Sequence, residues 1–296
     1  MQLGTPTEAD DLDALLAAIE AADGRAALTE YKMMRRGDYD DAPAVAARID
    51  DVTIGYAQVA RHPGGGADSS AHWAIEIAVD PAQRIPAIYD ALIAAATTLV
   101  PAGERVAVWA WHGELEAALM RAGYAPTRLL HRLECPLPIA ATAAGAPGTA
   151  VRAFEVGHDE AAWLSVNNAA FAGHPENGAL TMNDLEERLR RPWFNPADLL
   201  MAWEGPDLIG SCWTKHHADG VGEIYIIGVS PDAQGRGLGR DLVIRGLDHL
   251  FRSGSRTGML YVDGANEAAM WLYTDLGFRS VWTNRQYELV EGERSA

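Results

Sequence analysis

The sequence predicts a protein of class α/β (α+β) made of two tandem domains, in each of which helices flank a sheet. Three observations lead there. First, 296 residues at 48% apolar content are enough for two ordinary cores. Second, the stretch CPLPIAATAAGAPGTA (135–150) is rich in Pro, Ala, Gly and Thr, lacks an amphipathic period and reads as a linker. Third, the halves on either side look alike. AIEIAVDPAQR (74–84) resembles EIYIIGVSPDAQGR (223–236), and LEAALMRAGYAP (115–126) resembles AAMWLYTDLGFRS (268–280). Both pairs are offset by about 150 residues, a domain length rather than a solenoid period. The expected organisation is a first domain over 1–135, a linker over 136–149 and a second domain over 150–296.

Each half runs helices, strands, then strand–helix–strand–helix. In the first half VTIGYAQVA (52–60) and HWAIEIAVD (72–80) read as strands, IPAIYDALIAAATTL (85–99) as a helix, RVAVWAW (105–111) as a strand and ELEAALMRAG (114–123) as a helix. In the second half Glu160–Phe171 and Thr181–Arg190 are expected to be helical, the latter opened by Thr181 with Asp184 three residues on, a variant of the capping box. DLLMAWEGPDLIGSCWTKHH (198–217) reads as two strands around the turn Gly205-Pro206-Asp207. GEIYIIGVS (222–230) becomes apolar throughout, as a central strand does. RDLVIRGLDHLFRS (240–253) places Leu242, Val243, Leu247, Leu250 and Phe251 on one helical face. TGMLYVD (257–263) is a strand, and NEAAMWLYTDLG (266–277) a helix ended by Gly277.

Composition excludes several function classes. A formal charge of −17 disfavours nucleic acid and anionic membrane as partners. The first twenty residues do not read as a signal peptide, and no apolar run reaches the ~20 residues of a bilayer span. Two cysteines, Cys135 and Cys212, make no disulfide framework. A cytoplasmic protein is the expectation.

The chemistry concentrates in SPDAQGRGLGRD (230–241), three glycines between two arginines after an expected strand. Strand, glycine turn and helix aim backbone N–H groups and the positive helix end at one point, a ready anion site. A P-loop would need lysine after its last glycine, and none follows. A dinucleotide fingerprint would need its third glycine at Arg240. Gln234-Gly235-Arg236-Gly237-Leu238-Gly239-Arg240 instead resembles the Q/R-x-x-G-x-G/A pyrophosphate loop of the GCN5-related N-acetyltransferases (GNAT). NEAAMWLYTDLGF (266–278) resembles their N-x-x-A-x-x-L-Y-x-x-x-G-F stretch, and EIYIIGVSP (223–231) stands where they splay two parallel strands apart. The resemblance implies that each half is GNAT-like: a mixed, mostly antiparallel sheet flanked by helices, with a splayed pair of parallel strands.

VNNAAFAGHPENG (166–178), WTKHH (213–217), GEIYIIGVSPDAQGRGLG (222–239) and LYVDGANEAAMWLYTDLGF (260–278) are more specifically similar to the mycothiol synthase family of tandem acetyltransferases. Over 1–135 the similarity is weaker, held by the repeat and by DGRAALTEYKMMRRG (23–37). That family moves acetyl from acetyl-CoA onto the cysteinyl amine of a cysteine–glucosamine–inositol conjugate. The resemblance implies that Ile227, Gly228 and Val229 offer strand backbone to acetyl-CoA and that Gln234, Gly235, Arg236, Gly237, Leu238, Gly239 and Arg240 hold its pyrophosphate. Asn266, Glu267, Ala268, Ala269, Met270 and Trp271 would flank it. Glu30, Glu176, Lys215, Glu223 and Tyr261 match acceptor-binding positions, and the expected partners are these two small molecules, with a monomer as default.

Amine attack on a thioester needs a base, an oxyanion donor and an acid for the departing thiolate. Glu223, the amide of Val229 and Tyr273 are the candidates. Strand alternation places Glu223 and Val229 on one sheet face. Taken singly, Glu223 equally suits a solvated strand edge, Tyr273 a core position and Glu30 a surface helix; the motif frame is what assigns them roles. No metal is expected, since alternation throws His216 and His217, with Cys212 nearby, onto opposite faces. The first half departs from the pattern: in DPAQRIPAIYD (80–90) no glycine follows the strand, and Arg84, Ile85 and Pro86 would obstruct phosphate. That half is expected to bind CoA poorly or not at all and do no chemistry. The competing functions are acetylation of another small amine or a protein N-terminus, and a non-catalytic CoA-binding sensor.

Overall fold

The computed structural model describes residues 1–290 except 8–11, 30, 31, 34, 35, 38, 40, 41, 63–71, 144–147 and 173–177. In chain order the elements are β1 (Gln2–Gly4), α1 (Leu12–Asp23), β2 (Ala44–Ile49), β3 (Val52–His62), β4 (His72–Val79), α2 (Pro86–Thr98), β5 (Val106–Ala110), α3 (Gly113–Arg121) and β6 (Tyr124–Pro136). There follow β7 (Thr149–Ala153), α4 (Glu160–Ala170), α5 (Met182–Leu189), β8 (Leu199–Glu204), β9 (Asp207–His216), β10 (Val221–Val229), α6 (Leu238–Arg252), β11 (Thr257–Asp263), α7 (Glu267–Asp275) and β12 (Arg279–Leu289). Among the described residues no helix is long and apolar enough to cross a membrane.

The chain forms two compact units. One takes the described residues up to Leu129 together with the closing stretch from Asn284; the other takes Leu130–Thr283. In the first, the strands run β1-β2-β3-β4-β5-β12. Ile88, Leu92, Leu115 and Leu119 of α2 and α3 cover one face, packed with Val59, Ile75 and Ile77. Leu12, Leu16 and Ile19 of α1 cover the other, against Tyr56 and Ala78. In the second unit the order is β6-β11-β10-β9-β8-β7. Leu242, Leu247 and Leu250 of α6 pack with Cys212 and Ile224 on one face. Trp163 of α4 and Leu185 of α5 pack with Trp213 and Ile226 on the other. The expected α5 start is realised as a full capping box, with Thr181 Oγ1 accepting from Asp184 N–H and Asp184 accepting from Thr181 N–H.

Among the described residues each unit has one parallel pair, and in each the pair is short. β4 and β5 join over Trp73–Ile75 and Val106–Val108, and β10 and β11 over Val221–Glu223 and Thr257–Met259. Beyond that the strands part, which gives both copies the expected splay. Arg84 Nε donates to Val79 O in the first copy as Gln234 Nε2 donates to Val229 O in the second, so the repeat reaches the turn after the strand.

The closing strands depart from the simple repeat. The second half of β6 pairs with β11 over Leu130–Pro136, while the end of β12 pairs with β5 over Arg285–Glu288. The composition break at 135/150 therefore marks where the repeat restarts, whereas compact packing divides the chain at Leu129/Leu130 and Thr283/Asn284.

Candidate active site

The site is built on β10. Its parallel neighbour leaves after Glu223, so the backbone of β10 beyond that point borders a gap. Which groups face the gap follows from the antiparallel ladder with β9. Ser230 N–H bonds to Ile209 O, and bonded and non-bonded pairs alternate along such a ladder. The N–H and C=O of Val229 and Ile227 accordingly turn away from β9, toward the opening. Gln234 occupies the carbonyl of Val229 at 3.2 Å, leaving its N–H as a donor directed into the gap.

Glu223 is 6% exposed, so it is no solvated edge residue. It stands opposite Lys215 in the ladder, and its Oε2 lies 2.7 Å from His217 Nε2. Lys215 Nζ sits 4.3 Å from the Trp193 ring centre and 5.2 Å from that of Tyr225, an aromatic shelf that holds the ammonium at the carboxylate's side of the sheet. Tyr261, on β11, is exposed and lies against Trp282, the two rings tilted by 59° with centres 5.7 Å apart.

One expectation is corrected. Glu223 and Val229 do not share a face, because β10 carries a bulge at Tyr225: Ile224 pairs with Thr214 and Ile226 with Trp213. The extra residue inverts the alternation. Glu223, Tyr225 and Ile226 face α4, while Ile227 and Val229 face α6, where Val229 Cγ2 lies 3.7 Å from the site a Gly239 Cβ would occupy. It is the main chain of Val229, not its side chain, that turns to the opening.

The glycine run forms the turn into α6. Gly235 and Gly237 have φ of 74° and 80°, left-handed values that a side chain resists, and open space surrounds both. Gly237 is the N-cap and no side chain caps the helix. The first helical bond is Asp241 N–H to Gly237 O, so the N–H groups of Leu238, Gly239 and Arg240 head the helix ahead of it. Gln234, Gly235, Arg236 and Gly237 are exposed, and Leu238 anchors the turn in the core. The arginines are engaged: Arg236 grips Glu204 at 2.7 and 3.1 Å, and Arg240 lies 2.7 Å from Asp275.

Across from this turn, Asn266 caps α7 by accepting from Ala269 N–H at 3.1 Å. Glu267, Ala268 and Trp271 are exposed, with Ala269 and Met270 half-buried. Tyr273 is buried beside Phe278, and burial, with a further push from the Cys212 thiol, raises its phenol pKa. A phenol so placed keeps its proton at neutral pH. Cys212 is itself enclosed, its thiol pushed up to about 12 by burial.

In the first copy the corresponding turn is closed. Arg84 makes a two-pronged pair with Asp23 at 2.8 and 2.6 Å, which holds the Asp23 carboxyl below its usual range. Ile85 is the N-cap of α2 and Pro86 follows as its first residue.

Glu30 and Glu176 lie outside the described residues. His217 beside Glu223 was missed as a site residue, although it stands in the WTKHH segment. His216 and His217 do face opposite sides. His216, however, meets Asp198 and His249, partners too remote in sequence to be read from spacing.

The sequence profile of the Acetyltransferase (GNAT) family matches residues 163–278. The mycothiol acetyltransferase of Streptomyces avermitilis is 40% identical over 291 residues, spanning 96% of this chain and 92% of that protein. That of Sanguibacter keddieii is 41% identical over 293 residues, spanning 93% and 90%. Among solved structures, a GCN5-related N-acetyltransferase from Sphaerobacter thermophilus aligns over 97% of this chain and 94% of its own, with TM-score 0.71 and 22% identity. A tandem GNAT protein from the clavulanic acid pathway aligns over 97% and 98%, with TM-score 0.72 and 15% identity, and shares the fold. Identity of this order along nearly the whole length, joined to a splayed sheet and a glycine-led helix, makes the chain an acetyl-CoA-dependent N-acetyltransferase that belongs to the mycothiol acetyltransferase family.

Proposed function

We propose that the second unit transfers acetyl from acetyl-CoA to the cysteinyl amine of a cysteine–glucosamine–inositol conjugate, with Glu223 as base, the Val229 amide as oxyanion donor and Tyr273 as acid. The observation that carries this reading is the company on β10: a buried carboxylate where the parallel pairing ends, a strand N–H turned into the gap beyond it, and then an uncapped, glycine-led helix. Glu223 takes the ammonium proton, through water, and His217 fixes the carboxylate. The freed amine attacks the thioester carbonyl, forming the C–N bond. Val229 N–H donates to the carbonyl oxygen as charge develops there. When the C–S bond breaks, the Tyr273 hydroxyl supplies the proton to sulfur, and the phenolate is restored to phenol by the proton the nitrogen sheds as the amide forms.

Binding falls to the same elements. Ile227 to Val229 meet the pantetheine arm, and the N–H groups from Gly235 to Arg240 meet the pyrophosphate. Arg236 and Arg240 exchange Glu204 and Asp275 for phosphate oxygens, and Asn266 to Trp271 line the far side. Lys215 and Tyr261 contact the acceptor; Glu30 and Glu176 match acceptor-binding positions of the family motifs. The first unit holds no CoA, because Arg84, Ile85 and Pro86 stand where glycines would be required.

The test is incubation with acetyl-CoA and either the conjugate or a panel containing an aminoglycoside and a peptide N-terminus. CoA is separated by chromatography, since the acceptor carries a thiol of its own. CoA release with the conjugate is expected. Release only with another amine removes the acceptor assignment, and release with none leaves a CoA-binding sensor.

A further inference from the structure

On the α6 face of the second unit three metal-competent side chains converge that the transfer reaction does not use. Asp198 ends the 3-10 turn Pro196–Asp198 before β8, His216 closes β9 and His249 lies in the last turn of α6. One ligand atom from each lies within 4.8 Å of the others. We propose that Asp198, His216 and His249 bind one divalent transition-metal ion, with Zn2+ as the best match.

The distances suit an ion. Asp198 Oδ1 is 2.7 Å from His249 Nε2 and 3.9 Å from His216 Nε2. Ligands around four-coordinate zinc, each about 2.0–2.2 Å from the metal, stand roughly 3.3 Å apart, and the two observed separations straddle that value. Small rotations of the imidazoles close the set. Coordination uses the Nε2 lone pair of His249, whose ring proton then resides on Nδ1.

The surroundings are those of a held ligand set. His216 Nδ1 lies 3.3 Å from Ser255 Oγ, and Ser255 is buried. In the metal-bound state Nδ1 would donate to that hydroxyl and leave the Nε2 lone pair for the ion, the arrangement second-shell partners give metal-bound histidines. The backbone of Asp198 is tied down by Thr214 Oγ1, which donates to its carbonyl at 2.9 Å. An ion pair with His249 alone would account for one contact. It gives no role to His216 Nε2, aimed at the same oxygen from beyond bonding distance.

Two imidazoles and one carboxylate select zinc, nickel or copper over magnesium and calcium, which prefer all-oxygen sites. The Asp198 side chain is 7% exposed, while His216 and His249 are 33% and 25% exposed, so solvent reaches the cluster and can fill the fourth position. The ligands come from a turn, a strand end and a helix end. An ion there fastens the last turn of α6 to β9, on the face away from Glu223.

The test uses tag-free protein stripped with chelator and desalted. Titration with Zn2+ against a chromophoric chelator should give one equivalent, and Co2+ should give the intense visible bands of four-coordinate geometry. The melting temperature should rise with Zn2+. H216Q and H249Q should each abolish the equivalent and the Zn2+-dependent rise, with the metal-free melting temperature of H216Q near that of wild type. S255A should weaken binding roughly 10–100-fold. Wild-type protein that takes up no stoichiometric ion, or an equivalent that survives both H216Q and H249Q, overturns the proposal.

Discussion

Replacing Gly237 with alanine separates two costs that the structure keeps distinct. Its φ of 80° penalises any Cβ, at about 1–2 kcal/mol for the left-handed region. For a unit of this size that lowers the melting temperature by roughly 2–8 °C. No protein atom lies within 4 Å of the new methyl, so sterics add nothing in the free protein. Gly157, with φ of 85° and equally open surroundings, is the matched control: Gly157→Ala carries the same backbone penalty away from the turn. In the presence of CoA the two should differ. A methyl at Gly237 holds phosphate off the helix N–H groups; losing one charge-assisted hydrogen bond costs ~1.5–3 kcal/mol, or roughly 10–150-fold in Kd. Differential scanning fluorimetry of the free proteins and calorimetric CoA titration measure both quantities. Equal melting losses with wild-type CoA affinity in Gly237→Ala would refute phosphate binding at this turn.

Glu223→Gln should lower kcat by about 10²–10⁴-fold while leaving acetyl-CoA affinity intact, measured by steady-state kinetics and CoA titration; loss of affinity with kcat preserved would remove Glu223 as the base. Gly246→Ala should destabilise by about 1–3 kcal/mol in urea unfolding, because its Cβ would meet Cys212 Sγ at 2.7 Å and Ile224 Cδ1 at 2.8 Å. Fully buried Lys32, whose Nζ donates to Ala74 O, has its pKa lowered by burial from 10.5 to about 8, with Glu76 opposing the shift. The unfolded chain therefore binds more protons above pH 8, so stability should rise from there to about pH 10.5, by up to ~1.4 kcal/mol per pH unit. Urea midpoints at pH 7.5 and 9.5 test this, and the gain should vanish in Lys32→Met.

Much of the site was legible because its signals are local. Gly235 and Gly237 announce left-handed turns, Thr181 and Asp184 a capped helix, and the stripe from Leu242 to Leu250 a buried helical face. The bulge at Tyr225 was not, since an aromatic residue is at home in any strand and nothing in its neighbours marks an insertion. That single residue inverts the facing of everything after it. Pairings such as His217 with Glu223 and Asp198 with His249 depend on hairpin register and helix docking, which spacing does not encode. Nor does the internal repeat say that β12 closes against β5 and β6 against β11, because any alternating strand fits any compatible edge.

That last arrangement bears on synthesis. β5 is buried along its whole length, and its outer edge is completed by Arg285–Glu288, which follow it only after the whole second copy of the repeat. A nascent chain holding only the amino-terminal half presents an open, apolar β5 border until Arg285–Glu288 are made, the kind of border that recruits strands from other polypeptides. Truncation after Asn284 would leave that border permanently unsealed, and its harm would fall on the half made first.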